Sequence, residues 1–452
     1  MSATEKRATF SLAGIYALRM LGFFMILPVF VLYADELEGV TPLLVGVAMG
    51  VYGLTQALLQ IPFGMLSDRI GRKPVIVGGL LIFAVGSVIA ALSDSITGVI
   101  IGRALQGSGA IAAAVMALAA DLTREEQRTK AMAMIGMSIG AAFMLALILG
   151  PLFNDWIGVP GIFWLTAVLA IGGIAVALFL VPQPQPEHCH RHRDAEPVAG
   201  QFARVLRIPD LLRLDYGILT VHMTITSIFM AVPLILRDVL GVEEAALVYL
   251  PVLLVAVVLM VPFIILAEKK HKMKEVFLGA ILVMGLAQVG FYFLYTSLTG
   301  LVVALVLFFT AFNLLEAVLP SMVSKMAPAE GKGTAMGIYS TSQFTGSFLG
   351  GVLGGWMQGS FGFGGVFLLG AVSASLWLLV ASGMARPRNL RNKLLHVGVL
   401  STEESDGLLA RITSVAGVVE AVIVNEEGVA YLKIDPETMD PSALDEFSMA
   451  EA

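Results

Sequence analysis

GMLSDRIGRKP, residues Gly64 to Pro74, packs one acid and three basic side chains into eleven positions between two long apolar runs. Elsewhere the chain avoids charge: of 452 residues, 57% are hydrophobic and 14% charged, and the mean hydropathy is +0.87. Soluble domains carry about 45 to 50% apolar residues. The chain therefore reads as a membrane protein. Crossing about 30 Å of hydrocarbon at 1.5 Å per residue takes about 20 apolar residues. Working outward from Gly64 to Pro74, windows of that length predict twelve spans, at about 10–33, 42–66, 74–93, 97–120, 130–153, 160–181, 211–236, 244–267, 275–296, 299–323, 334–358 and 363–385.

Lys6 and Arg7, the opening stretch, Arg124 to Lys130, the segment 183–210, Lys269 to Lys274, Lys325 with Lys332, and Arg386 to Lys393 all fall on one side of this arrangement. The other side has little beyond Arg237, so the positive-inside rule predicts that both termini of this multi-pass chain are cytoplasmic. The polar start MSATEKRATF leads straight into the first span without a cleavable apolar region, so no removable signal is expected. The lone Cys189 excludes an internal disulfide. A net charge of -6 gives no reason to expect a nucleic-acid partner.

Repeated prolines and clustered charge in 183–210 predict a cytoplasmic linker between an N-terminal half, 1–182, and a C-terminal half, 211–386. The halves echo each other at an offset of 200: Pro62 matches Pro262, Asp68 matches Glu268, Arg69 matches Lys269 and Arg72 matches Lys272. Parallel repeats of six spans are one transporter architecture. The fold class is therefore read as an all-α polytopic membrane protein, two parallel-repeat six-helix halves followed by a small C-terminal α+β domain at 387–452. There the pattern reads strand, helix, hairpin and helix, with Gly428 closing the hairpin and Leu408, Leu409, Ile412 and Val415 covering one sheet face. A ferredoxin-like cytosolic domain is expected. It lacks an evident fourth strand, so completion by a partner or by self-association is left open.

In the opening stretch, Gly71 permits a tight reversal between spans two and three, and Asp68 suits the positive N-terminal end of a helix. Gly64, Leu66, Asp68, Arg69, Gly71, Arg72 and Lys73 resemble the signature loop of the major facilitator superfamily. The resemblance implies that Asp68 approaches the start of span eleven, near Gly331 to Thr334, and that Arg72 pairs with Asp121. Gly64, Asp68, Arg69, Gly71, Arg72 and Asp121 would then form a conformational switch. Arg103, Gln106, Gly107, Gly109 and Ala110 resemble a motif common among proton-linked members. Leu21, Gly22 and Pro28 resemble the drug:proton antiporter group. Gly150 and Pro151 fit the core of the antiporter motif in span five, but Met137 and Ala146 stand where glycine is expected, leaving antiport, symport and uniport open.

Ionisable side chains inside spans are costly and mark pathways for substrate or protons. Arg19, Arg103, His222 and Glu316 lie one each in spans one, four, seven and ten, with Asn313 one turn before Glu316. The resemblance implies that these four spans line a central cavity. By depth, Arg19, His222 and Glu316 are expected to meet there, with Arg103 nearer the outer side; Arg103 is equally consistent with bonding backbone carbonyls.

Other chemistries are disfavoured. His188, Cys189, His190 and His192 are metal-capable but closely spaced on a linker, and the first loop of the C-terminal domain reads LSTEES, without the C-x-x-C of small metal-carrier domains; no metal and no cofactor are expected. No G-x4-G-K-[ST] phosphate loop and no nucleophile constellation are present, so neither ATP-driven transport nor an enzyme is read. The sequence points to a proton-coupled secondary transporter, an efflux antiporter of a small, partly apolar compound. The alternatives are uptake or exchange of an anionic metabolite, or a membrane sensor with a signalling C-terminal domain.

Overall fold

Gly71 alone joins two helices, Pro42–Ile70 (span two) and Arg72–Ala91 (span three), at a φ of +96° that favours glycine. The predicted loop is thus a single residue, with Asp68 and Arg69 in the last turn of span two. Helices run past the hydrocarbon because charged and polar side chains can continue them into the headgroup region. The computed structural model describes the chain apart from residues 184–198, 243, 271, 329–330, 386–390, 399, 426–427, 436–437, 440–442, 445–446 and 448–452.

Among the described residues, ten helices are long and apolar enough to cross a membrane. Two of them are broken by a left-handed glycine, Glu125–Phe179 at Gly158 (spans five and six) and Lys332–Ser382 at Gly362 (spans eleven and twelve), which makes twelve crossings. The others are Ala3–Met25 (span one), Ile96–Ser108 with Ala112–Asp121 (span four), Pro209–Leu234 (span seven), Ala245–Lys269 (span eight), Met273–Leu294 (span nine) and Leu298–Met326 (span ten). Span one begins well before the apolar run because Ser2 and Glu5 form a capping box. Glu5 also accepts from Arg124 Nε at 3.0 Å, tying the start of span one to that of span five.

Among the described residues the two ends of the bundle differ in charge: a basic end with Lys6, Arg7, Arg69, Arg72, Lys73, Arg124, Lys269 and Lys325, and an acidic end with Asp35, Glu36, Asp94 and Asp238. At the acidic end the halves meet backbone to backbone. A Cβ on Gly46 of span two would overlap the Gly351 carbonyl oxygen of span eleven, and one on Gly50 would lie 2.7 Å from the Phe348 oxygen. Arg237 reaches Asp35 at 3.2 Å across the same end. Toward the basic end, Gln60 Nε2 still donates to Thr341 Oγ1 at 2.9 Å, but a Cβ on Gly64 would meet only Ala113 of its own half. Span seven shows the same asymmetry: Leu212, Tyr216, Leu219 and His222 are at least partly exposed, whereas 223–233 are buried throughout. The structure is closed at the acidic end and holds a cleft at the basic end.

The C-terminal domain is a three-stranded antiparallel sheet of order β1-β3-β2, from Arg391–His396 (β1), Val418–Val424 (β2) and Val429–Ile434 (β3), with helix Thr402–Ser414 on one face. Gly428, φ +66°, closes the β2–β3 hairpin. Leu408, Ile412 and Val415 join the sheet in one core. Most of the expected last helix lies outside the described residues. Lys433, held below the usual lysine range by burial, donates to the Lys325 carbonyl at 3.2 Å, at the C-terminal end of span ten. Lys433→Met keeps the stem and removes the ammonium; it is expected to raise amide hydrogen exchange around Lys325 to Ala327 by roughly fivefold, the equivalent of about 1 kcal/mol for one hydrogen bond. Unchanged exchange there would show that this contact does not hold the domain.

Candidate functional site

His222 of span seven and Glu316 of span ten meet in the cleft, with Nε2 2.9 Å from Oε1. Span eleven adds two polar neighbours: Gln343 Nε2 lies 2.7 Å from His222 Nε2, and Ser347 Oγ lies 3.4 Å from Nδ1. His222 Nε2 either donates to Glu316 Oε1 or accepts from the Gln343 amide, one at a time, so the two neighbours compete for the same ring nitrogen. Both side chains are partly open to solvent, His222 at 13% and Glu316 at 31%. Asn313, one turn above Glu316, has a buried Nδ2 without a hydrogen-bond partner. A neutral imidazole beside a carboxylate carries one net negative charge, and one added proton cancels it whichever partner receives it. The pair is thus able to hold or release one proton and change the charge of the cleft by a full unit.

An aromatic row roofs the pair. Phe24 of span one packs edge-on to Phe143 of span five at 5.0 Å, Phe143 contacts Phe312 of span ten at 5.4 Å, and Phe312 lies 6.2 Å from the His222 ring. The row crosses from one half to the other, so its packing belongs to this arrangement of the halves.

Arg19 does not join His222 and Glu316, contrary to the depth estimate. Its side chain turns into the interior of the N-terminal half, is 0% exposed and donates from Nη2 to Gln56 Oε1 at 2.8 Å. The cleft-facing positions of span one are instead Ala17, Leu21 and Phe24. Arg103 is also buried, bonded to the Ala48 and Met49 carbonyls of span two at 3.3 and 3.4 Å and to Gln106 Oε1 at 3.0 Å. That is the backbone-bonding role the sequence left open for it.

At the basic end, Arg72 Nε lies 3.3 Å from Asp121 Oδ2, and Arg72 Nη1 bonds both Ser67 Oγ, at 2.8 Å, and Asp68. Asp68 meets Arg72 rather than the start of span eleven, where Thr334 Oγ1 instead lies 3.4 Å from Gln201 Oε1. Arg69 is exposed. The second half repeats the arrangement in weaker form: Glu268 lies 3.4 Å from both Ser321 Oγ and Lys325 Nζ at the end of span ten. An acid at the end of the second helix of each half is therefore linked to the end of the fourth. The family model of the Major Facilitator Superfamily matches residues 12–320 and 257–410. The chain belongs to the major facilitator superfamily.

Relatives agree with this. The chain is 49% identical over 436 residues to the inner membrane transport protein YajR of Escherichia coli strain K12, covering 96% of this chain and 95% of that one. It is 26% identical to the multidrug resistance protein MdtH of Yersinia enterocolitica over 75% of this chain and 83% of that one. A solved bacterial homologue of the human lysosomal transporter Spinster, inward-facing and occupied, shares the fold at a TM-score of 0.67 and 16% identity, covering 84% of this chain and 96% of that one. The chain is a multi-pass membrane transporter of the superfamily type.

Within this superfamily member, sequence reading missed Gln343, Ser347, Phe143 and Phe312. The first two sit at i and i+4 in the run Thr341 to Phe348, whose polar side chains on one helix face were the available signal. The two phenylalanines carried none, since aromatic side chains in spans are ordinarily packing. The metal-capable His188, Cys189, His190 and His192 lie outside the described residues; among the described residues no cluster of three His, Cys, Asp or Glu is placed to hold a metal.

Proposed function

We propose that this chain is a proton-coupled secondary transporter of the cell inner membrane that exports a small, partly apolar compound by alternating access. The basic end faces the cytoplasm in this reading, so the structure corresponds to an inward-open arrangement. The observation that carries the proposal is the His222–Glu316 contact in the cleft, 2.9 Å between Nε2 and Oε1. Deprotonated, the pair leaves one negative charge in a partly dry site, which favours a cationic or polarised ligand; protonated, it is neutral and releases that ligand. The apolar row of Phe24, Phe143 and Phe312 suits the apolar part of the compound. The multidrug-resistance name of one relative is consistent with such a cargo. In the other arrangement of the halves Asp68 would leave Arg72 for the start of span eleven, which makes it the switching member of the group, with Arg72 held by Asp121.

Purified protein in liposomes with an internal pH-sensitive dye, challenged with a compound library, tests the reading. Compound-evoked proton flux is expected from the wild type and is expected to vanish in Glu316→Gln. Compound movement without proton flux, unchanged in Glu316→Gln, would make the protein a facilitator and Glu316 a structural acid.

A further inference from the structure

We infer that the N-terminal half contains an anion site built from Arg19, Tyr52 and Gln56, separate from the His222–Glu316 pair. Arg19 is fully buried, yet its Nε and Nη1 groups have no hydrogen-bond partner. Gln56 Nε2, also buried, is without one, and the buried Tyr52 hydroxyl lies against the Arg19 guanidinium. Among the described residues no carboxylate lies in ion-pair reach of Arg19. Every unsatisfied atom here is a donor, and the hydroxyl can turn its hydrogen toward whatever acceptor arrives.

Charge points the same way. The Arg19 guanidinium lies 5.7 Å from the centre of the Tyr52 ring and 5.3 Å from that of Phe83, and Arg103 lies 5.5 Å from the same tyrosine ring. Two cations thus share one buried aromatic side chain, and among the described residues no acid pairs with either of them. A buried charge is ordinarily paired, and an unsatisfied buried donor costs about 1 to 3 kcal/mol. Cation–π contact offsets part of this for the ring faces but leaves the N–H groups unmet. A compact anion at one edge of the guanidinium, within reach of Gln56 and Tyr52, would satisfy one of the two Arg19 groups along with its neighbours. Its source is either an inorganic ion or the carboxylate of an organic ligand.

Access has a structural basis. The Tyr52 ring is 6.4 Å, edge-on, from Phe344 of span eleven, and a Cβ on the adjacent Gly53 would lie 2.5 Å from the Phe344 oxygen. Span eleven therefore covers the side of span two that carries Tyr52. Parting of spans two and eleven uncovers that side, so anion entry belongs to the other arrangement of the halves.

The test uses the purified full chain in detergent, with thermal midpoints followed as sodium gluconate is replaced by sodium chloride, nitrate or benzoate at constant ionic strength. A saturable rise is expected for the wild type. It should be absent in Arg19→Gln, and Tyr52→Phe, which keeps the ring, should raise the half-saturating concentration by roughly ten- to a hundredfold, as expected for one lost hydrogen bond to a charged group. Should Arg19→Gln fail to fold, Tyr52→Phe carries the test alone. A response to chloride and nitrate assigns the site to an inorganic ion; a response to benzoate alone assigns it to an organic carboxylate. Glu316→Gln should leave the response intact, so failure of the proton reading and failure of this one are told apart. No anion-specific rise in the wild type, or an equal rise in both Arg19→Gln and Tyr52→Phe, overturns the inference.

Discussion

Replacing Gly46 by valine is expected to hold the transporter open at its acidic end and stop the cycle while leaving the fold intact. Gly46, Gly50 and Gly53 of span two face Gly351, Phe348 and Phe344 of span eleven so closely that main chain touches main chain. A valine at 46 brings three carbons into space filled by the Gly351 carbonyl, and backbone cannot swing aside as a side chain can. Overpacking of this kind costs about 1 to 3 kcal/mol, and here the cost falls only on the arrangement in which the two spans touch. At 1.4 kcal/mol per factor of ten, 3 kcal/mol moves the balance between arrangements by roughly 150-fold. The readout is maleimide labelling of Val31→Cys in a Cys189→Ser background, since Val31 is buried beside span seven at the acidic end. Labelling should rise by about tenfold or more with Gly46→Val while the thermal midpoint holds.

Gly86→Val is the matched control. A Cβ there would lie 2.6 Å from Gln106 N and from Gly102 O, both in the same half as Gly86. Spans three and four move together whichever end is open, so the clash penalises every arrangement, and loss of folded protein is expected instead of a shift. If Gly46→Val also lowers the yield of folded protein without raising labelling, spans two and eleven do not part in the cycle.

The contrast explains what was legible in the sequence. The reversal at Gly71 was readable because a tight turn between two spans leaves few alternatives to glycine, and the Arg72–Asp121 contact was readable only through the resemblance of the signature loop. The meeting of His222 and Glu316 was also readable, since helix rise converts residue count into position along each span. Direction around the axis was not. Span one is apolar on nearly every face, so its pattern gives no inward side, and Arg19 is only two residues from cleft-facing Ala17 and Leu21. Packing decided it: Gln56, Tyr52 and Phe83 of the neighbouring spans receive the guanidinium. The approach of Asp68 to span eleven was likewise a statement about one arrangement of the halves, and in this one Asp68 turns to Arg72 one helical turn away. The Glu5–Arg124 contact joins positions 119 residues apart, and neither carried a motif.

His222→Asn and Glu316→Gln are expected to be strongly non-additive in compound-evoked proton flux. Either change alone leaves a site that cannot exchange its proton with the partner 2.9 Å away, and each is expected to lower flux by about a hundredfold or more, within the range assigned to a positioned acid–base group. If the two residues act as one proton-holding unit, the double variant falls no further than either single one, as for other groups that work together. Independent roles, one structural and one protonic, would instead multiply the losses. Folding is checked separately, because Gln343 and Ser347 also contact the ring and can lose a partner when His222 is replaced. Asparagine offers an amide to those neighbours, so a His222→Asn protein with a wild-type thermal midpoint isolates the protonic role. Retained proton flux in Glu316→Gln with loss only in His222→Asn would move the proton site to the histidine and its span-eleven neighbours; retained flux in both would remove the pair from the coupling mechanism altogether.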